Sequence, residues 1–128
     1  MDVLVDTHAF LWIITESKSL SERARQVFLD DKSRLHLSIA SIWEIAIKHK
    51  LGKLSLHQSL EVFIPQQLQK NNIDVLDISM GHVLKTTTLP FHHRDPFDRL
   101  LIAQALSENW SVLSADEVFD QYSVTRVW

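Results

Sequence analysis

Residues 92–105, HHRDPFDRLLIAQA, limit the fold more than any other stretch of this chain. Leu100, Leu101, Ile102, Ala103, Ala105 and Leu106 leave almost no polar face, and a helix apolar all round is stable only where other elements cover every side. The start of that helix is equally legible. Asp95 reads as its N-cap, Pro96 as its first residue and Asp98 as the third position, where a capping-box carboxylate reaches back to the cap. Asp98 lies one turn from Ile102 on the same face, so a carboxylate is held at the mouth of a buried helix. It is there either as a cap or as a site.

The remaining segments supply the cover. Residues 3–5 form a short aliphatic strand that ends at Asp6, and an apolar helix follows to about Ile14. Ser21 caps a second helix carrying Ala24, Val27 and Phe28 on one face. Residues 35–38 form a strand, and a helix begins at Ser38 or Ser41 and runs to about Leu51, where Gly52 stops it. Residues 59–69 read as an amphipathic helix that kinks or restarts at Pro65. Residues 73–78 form a strand, Ser79 caps a short helix, and strands at 111–113 and 124–127 complete the order. Strands alternating with helices predict an α/β fold, a mostly parallel central sheet with helices on both faces.

At 128 residues and 45% hydrophobic composition, the expectation is one domain over residues 1–128 with its own core. The absence of cysteine excludes disulfide and thiolate chemistry. With no leader segment ahead of the first strand, it leads us to expect a cytoplasmic protein. No apolar run approaches the roughly 20 residues of a membrane span, so no membrane partner is expected. A formal net charge of -3 weighs against nucleic-acid binding on composition alone, although net charge does not locate the charges.

An α/β sheet of this kind binds ligands beyond the carboxyl ends of its strands. Asp6 ends the first strand, Asp116 follows the strand at 111–113 within Ser114-Ala115-Asp116, and Asp98 heads the buried helix leading into that strand. Glu44 sits mid-helix among Ile42, Trp43, Ile45, Ala46 and Ile47, on a narrow polar stripe with Ser41 and Lys48. Singly, each acid has a plain explanation. Asp6, Asp95 and Asp116 can cap helices at about 1 kcal/mol apiece, Asp98 and a Ser114/Glu117 pair can complete capping boxes, and Glu44 can pair with Lys48. Together, carboxylates brought to one sheet edge repel one another unless a cation sits among them. Hard oxygen donors without cysteine favour Mg²⁺ or Mn²⁺ over zinc. Such ions orient an attacking water and offset charge on a phosphodiester, chemistry that points to metal-assisted hydrolysis of nucleic acid.

The order Val-Asp6-Thr, Ser-x-x-Ser-x-x-Glu44, HRDPFDRLLIAQA with Asp98, and Ser-Ala-Asp116 resembles the PIN-domain nucleases over essentially the whole chain. It is most similar to the VapC-type ribonuclease toxins of toxin–antitoxin pairs. The resemblance implies a single PIN-like domain in which Asp6, Glu44, Asp98 and Asp116 form a catalytic, metal-binding quartet. It gives Thr7 and Ser114 auxiliary roles beside the acids, and Asp95 a capping or auxiliary one. It also implies an RNA substrate, an antitoxin whose C-terminal segment fills the cleft, and a homodimer.

RNA must be met by cations, and Lys48, Lys50, Lys53, Arg94 and Arg99 are the candidates. The lysines equally suit a solvated helix end. Arg94 and Arg99 flank the acidic cap and are the better candidates for substrate, unless one is a counter-ion to Asp95 or Asp98. His92 and His93 could touch phosphate or base, and a metal role is not expected of them. Trp12, Trp43, Trp110 and Trp128 are expected in the core or an interface, Trp12 on a surface gripped by an antitoxin or second subunit. Two other readings compete. A receiver-like Mg²⁺ regulatory domain would need paired acids after the first strand and a late lysine, where this chain has Asp6-Thr7-His8 and Arg126. An inert PIN-fold module binding RNA or protein would be expected to lack some of the four acids.

Overall fold

The computed structural model describes residues 1–128. Five strands, β1 (Asp2–Val5), β2 (Arg34–Ser38), β3 (Ile73–Leu76), β4 (Ser111–Leu113) and β5 (Arg126–Val127), form one sheet in the order β3-β2-β1-β4-β5. Every pairing is parallel, so the sheet is wholly rather than mostly parallel. Six α-helices connect the strands: α1 (Thr7–Ile14), α2 (Glu22–Leu29), α3 (Ile39–Lys50), α4 (Leu60–Lys70), α5 (Met80–Lys85) and α6 (Pro96–Glu108).

Alternation along the central strand divides the core. Val3 and Val5 join Leu35, Leu37 and Leu113 on one face, where Phe10 and Ile13 of α1, Val27 of α2 and Ile64 of α4 cover them. Leu4 and Val112 point to the opposite face and meet Leu101, Ile102, Ala103 and Ala105 of α6, with Phe119 and Tyr122 beyond. Five consecutive α6 residues, Leu101 to Ala105, are buried, among them the polar Gln104, whose side-chain amide donates to the Asp77 carbonyl at 3.3 Å. Burying Leu101 and Ile102 stabilises the fold by about 1.5–3 kcal/mol each. Helix α3 straddles the two layers, with Ala40 in one cluster and Ile45 in the other.

The helix ends follow the predicted caps. Asp6, Ser21, Ser38, Ser79 and Asp95 each accept a backbone N–H in the first turn of the helix they precede. Gly52 closes α3 at φ +75°, a conformation that disfavours any side chain. Helix α4 runs through Pro65 without ending there. The carbonyl that proline leaves without a donor belongs to Glu61 on the exposed side, where water can satisfy it. Strands β3 and β5 are shorter than expected. No helix is long and apolar enough to cross a membrane.

The registry Val5↔Leu37 and Val5↔Leu113 sets the carboxyl ends of β1, β2 and β4 side by side. Chain winding reverses between β1 and β4, and such a reversal opens a crevice at that edge. Asp6 and Ser114 are the next residues out.

Candidate metal centre

Asp6, Asp98 and Asp116 reach the crevice from three different elements. Asp6 ends β1 and is buried, its backbone N–H donating to the Leu113 carbonyl at 3.1 Å. Its Oδ1 accepts the Ala9 N–H at 2.7 Å, the N-cap bond of α1. Asp116 divides its two oxygens between tasks: Oδ1 accepts the Val118 N–H at 3.0 Å and caps a 3₁₀ turn, while Oδ2 turns into the crevice. The choice between cap and site is therefore no choice for Asp116, because the capping bond fixes the carboxylate that faces inward.

Asp98 is resolved differently. Asp95 Oδ1 caps α6 by accepting the N–H groups of Phe97 at 2.8 Å and Asp98 at 3.4 Å. In a capping box Asp98 would accept the Asp95 N–H in return. That N–H is given instead to Nδ1 of His93 at 3.2 Å. Asp98 is thus freed from the cap, and its Oδ2 lies 3.0 Å from Nε2 of His93. The same Nε2 is 2.8 Å from Oδ2 of Asp116. The Ser114/Glu117 capping box does not form either: the Ser114 hydroxyl accepts the Asp116 N–H at 3.0 Å. Replacing Asp95 by Ala should cost about 1 kcal/mol of folding free energy, read as a shift in the urea midpoint, since it removes a cap.

Crowding shows in the electrostatics. Burial, then the neighbouring Asp95 carboxylate, push the Asp98 carboxyl up to about 7; Asp6 and Glu44 add to the effect and His93 opposes it. Burial also raises Asp6, against the hydrogen bonds from Ser114 and the Ala9 amide. An acid with a folded pKa above its unfolded value of about 3.9 is held preferentially neutral by the fold. Its contribution to stability is complete below about pH 4 and is lost as pH rises through about 7. In chelator, the melting temperature of the wild type should therefore fall between these values by more than that of Asp98→Asn, which has nothing to ionise. Equal pH slopes in the two proteins would contradict this.

Glu44 approaches from α3, buried, with Oε2 3.2 Å from the Lys48 ammonium. It is near enough to act on Asp98, but the tightest grouping of possible ligand atoms is His93, Asp98 and Asp116, all within 4.8 Å of one another. The hydroxyls of Thr7 and Ser41, one residue after Asp6 and one turn before Glu44, are buried without a hydrogen-bond partner. Oxygen donors in this number, no cysteine, and a carboxyl driven up by burial and then by its acidic neighbours suit a hard divalent cation.

The sequence as a whole decides the family: the PIN domain profile matches residues 3–124. The chain belongs to the PIN domain family. Among solved structures, this PIN domain resembles VapBC2 of Rickettsia felis bound to a promoter DNA fragment. There the TM-score is 0.72 at 12% identity, covering 98% of this chain and 97% of that one. VapBC-1 of nontypeable Haemophilus influenzae aligns with a TM-score of 0.64 at 21% identity, covering 98% and 96%. FitAcB of Neisseria gonorrhoeae aligns at 0.62 and 15%, covering 97% and 95%. At these identities the likeness is one of fold. No curated protein matches the sequence significantly.

Around the acids of the PIN domain lie two open clefts. One, of about 500 Å³, is lined by Glu44, Lys48, Lys53, Arg94 and Asp95 with Phe97. The other, of about 380 Å³, is lined by Asp6, His8, Trp12 and Asp116. Arg94 is exposed beside the first. Arg99 is placed otherwise than expected. Its guanidinium donates to the carbonyls of Thr86, Leu89, Pro90 and His93, and lies 4.4 Å from the centre of the Phe91 ring. Both terminal nitrogens are directed at loop carbonyls, and no ion pair joins the guanidinium to Asp95 or Asp98. Trp12 packs at the core margin against Trp128 at 5.5 Å, and Trp110 stacks on His36 at 3.9 Å. Trp43 lies outside the core, 62% exposed and edge-on to Phe97, which lines the first cleft. His93, expected only as a contact for phosphate or base, instead sits between two of the acids; its one sequence signal is its place two residues before the N-cap of α6.

Proposed function

We propose that this chain is a Mg²⁺- or Mn²⁺-dependent endoribonuclease, the VapC-type toxin of a toxin–antitoxin pair. The observation that carries the reading is the convergence of Asp6, Asp98 and Asp116 on one crevice, with Glu44 close enough to raise the Asp98 carboxyl further. In this reading Asp6, Glu44, Asp98 and Asp116 are the catalytic, metal-binding acids. Bound there, the cation would supply Lewis acidity toward the scissile phosphate and a more acidic water. The chain's own parts are orientation and charge. The capping bonds of Asp6 and Asp116 fix the direction of their carboxylates, and Ser114 steadies both. Thr7 offers a hydroxyl beside Asp6, and Asp95 holds the start of α6 so that Asp98 stays aimed at the crevice. Arg94 and Lys53, with Lys48 where Glu44 leaves it free, would meet phosphates entering the first cleft.

The reading also assigns a protein partner. The similar structures of VapBC2, VapBC-1 and a further "Toxin-antitoxin complex from Klebsiella pneumoniae" are complexes. An antitoxin covering the acidic crevice, a homodimer and a cytoplasmic setting belong to the same proposal. Incubating the purified chain with RNA and Mg²⁺ or Mn²⁺ tests it. Cleavage should vanish with chelator and in Asp6→Asn; persistence in either control would overturn the metal mechanism.

A further inference from the structure

His93 is held from every side. Its backbone N–H donates to the Tyr122 hydroxyl at 2.8 Å, and that hydroxyl donates onward to the Pro90 carbonyl at 2.7 Å. Arg99 binds the neighbouring loop carbonyls, and the ring stands edge-on to Phe119 at 5.9 Å. At Nδ1 the ring accepts the Asp95 N–H, which leaves its proton on Nε2. That N–H points at the Oδ2 atoms of Asp116 and Asp98, at 2.8 and 3.0 Å. A nitrogen carrying a proton has no lone pair for a metal, and moving the proton to Nδ1 would set it against the Asp95 N–H. In this position His93 therefore donates and does not ligate.

We propose that His93 is an internal stand-in for the cation: its Nε2–H holds Asp98 and Asp116 together in the metal-free chain and competes with the metal for the same two oxygens. The inference rests on the reading that this crevice binds Mg²⁺ or Mn²⁺. Without that donor, the two carboxylates, one from α6 and one from the loop after β4, would either repel or have to share a proton. The histidine keeps them converged, and the metal takes over those oxygens as the ring gives way. His93 is accordingly a positioning residue, and removing it has opposite effects on the metal-free and metal-bound forms.

Mn²⁺ titrations by calorimetry on the full-length wild type, His93→Ala and His93→Gln, each with a melting curve in chelator, test the competition. His93→Ala should bind Mn²⁺ about tenfold more tightly, the equivalent of one charge-assisted hydrogen bond no longer given up. It should also melt lower in chelator. His93→Gln, which keeps an N–H donor near the position of Nε2, should return both values toward wild type. Weaker binding by His93→Ala would make the ring a ligand, and unchanged binding would make it a spectator; either overturns the proposal. Should His93→Ala not fold, the ring can be followed in the wild type by ¹H–¹⁵N correlation of labelled histidine. Saturating Mg²⁺ should change the His93 pattern, and a pattern that did not change would overturn the competition. A wild type that bound no Mn²⁺ would instead remove the metal reading itself.

Discussion

Replacing Asp98 by Asn is expected to lower metal-dependent RNA cleavage by about 10²–10³-fold while leaving a cooperatively folding protein. Activity should fall because a neutral amide is no substitute for a carboxylate at Oδ2, the atom that meets Nε2 of His93 together with Oδ2 of Asp116. The fold should survive because Asp98 caps nothing: Asp95 supplies the bonds at the start of α6. Without metal the variant should be at least as stable as wild type above neutral pH, since the carboxyl pushed up to about 7 by burial and its neighbours is gone. Single-turnover cleavage of RNA alongside a urea melt separates the two effects. An active Asp98→Asn would return this residue to a structural role.

Leu101→Ala is expected to damage the scaffold severely, costing about 2–5 kcal/mol. Leu101 is fully buried in the layer where α6 covers Leu4 and Val112 of the sheet. Truncating it leaves a cavity under the helix that carries Asp98. Against a total of about 5–15 kcal/mol for a typical domain, that loss removes much of the folded population on warming, and the site with it. Urea unfolding should show the lower midpoint with an unchanged slope. A loss under about 1 kcal/mol would mean that α6 is not packed as described.

The features legible in the sequence are those set by local chemistry. An aspartate before proline and an apolar run can only begin a buried helix, and serines ahead of amphipathic segments announce α2, α3 and α5. Asp6 and Asp116 can be placed at one sheet edge because parallel strands leave little freedom about which end faces the crevice. Contacts made across the fold by loop residues are not legible. His92 and His93 are adjacent and have the same chemistry, and only the Tyr122 and Asp95 bonds decide that His93 turns inward. Arg99 looks available for phosphate because backbone carbonyls do not show in a residue pattern; its targets lie 6 to 13 residues away along the chain. Whether Trp43 faces the core or the surface is illegible for a related reason. An apolar helix gives no sign of which face the sheet covers, and α3 turns Ile45 inward and Trp43 outward.

The acids at the strand ends must together hold a cation for this chemistry to operate. Titrating Mn²⁺ into the wild type and Asp98→Asn, with free Mn²⁺ followed by electron paramagnetic resonance, measures this without RNA or partner. The wild type should deplete the free signal and Asp98→Asn should not, although both melt cooperatively. Equal binding by the two proteins, or none by the wild type, would contradict a metal centre built on Asp98.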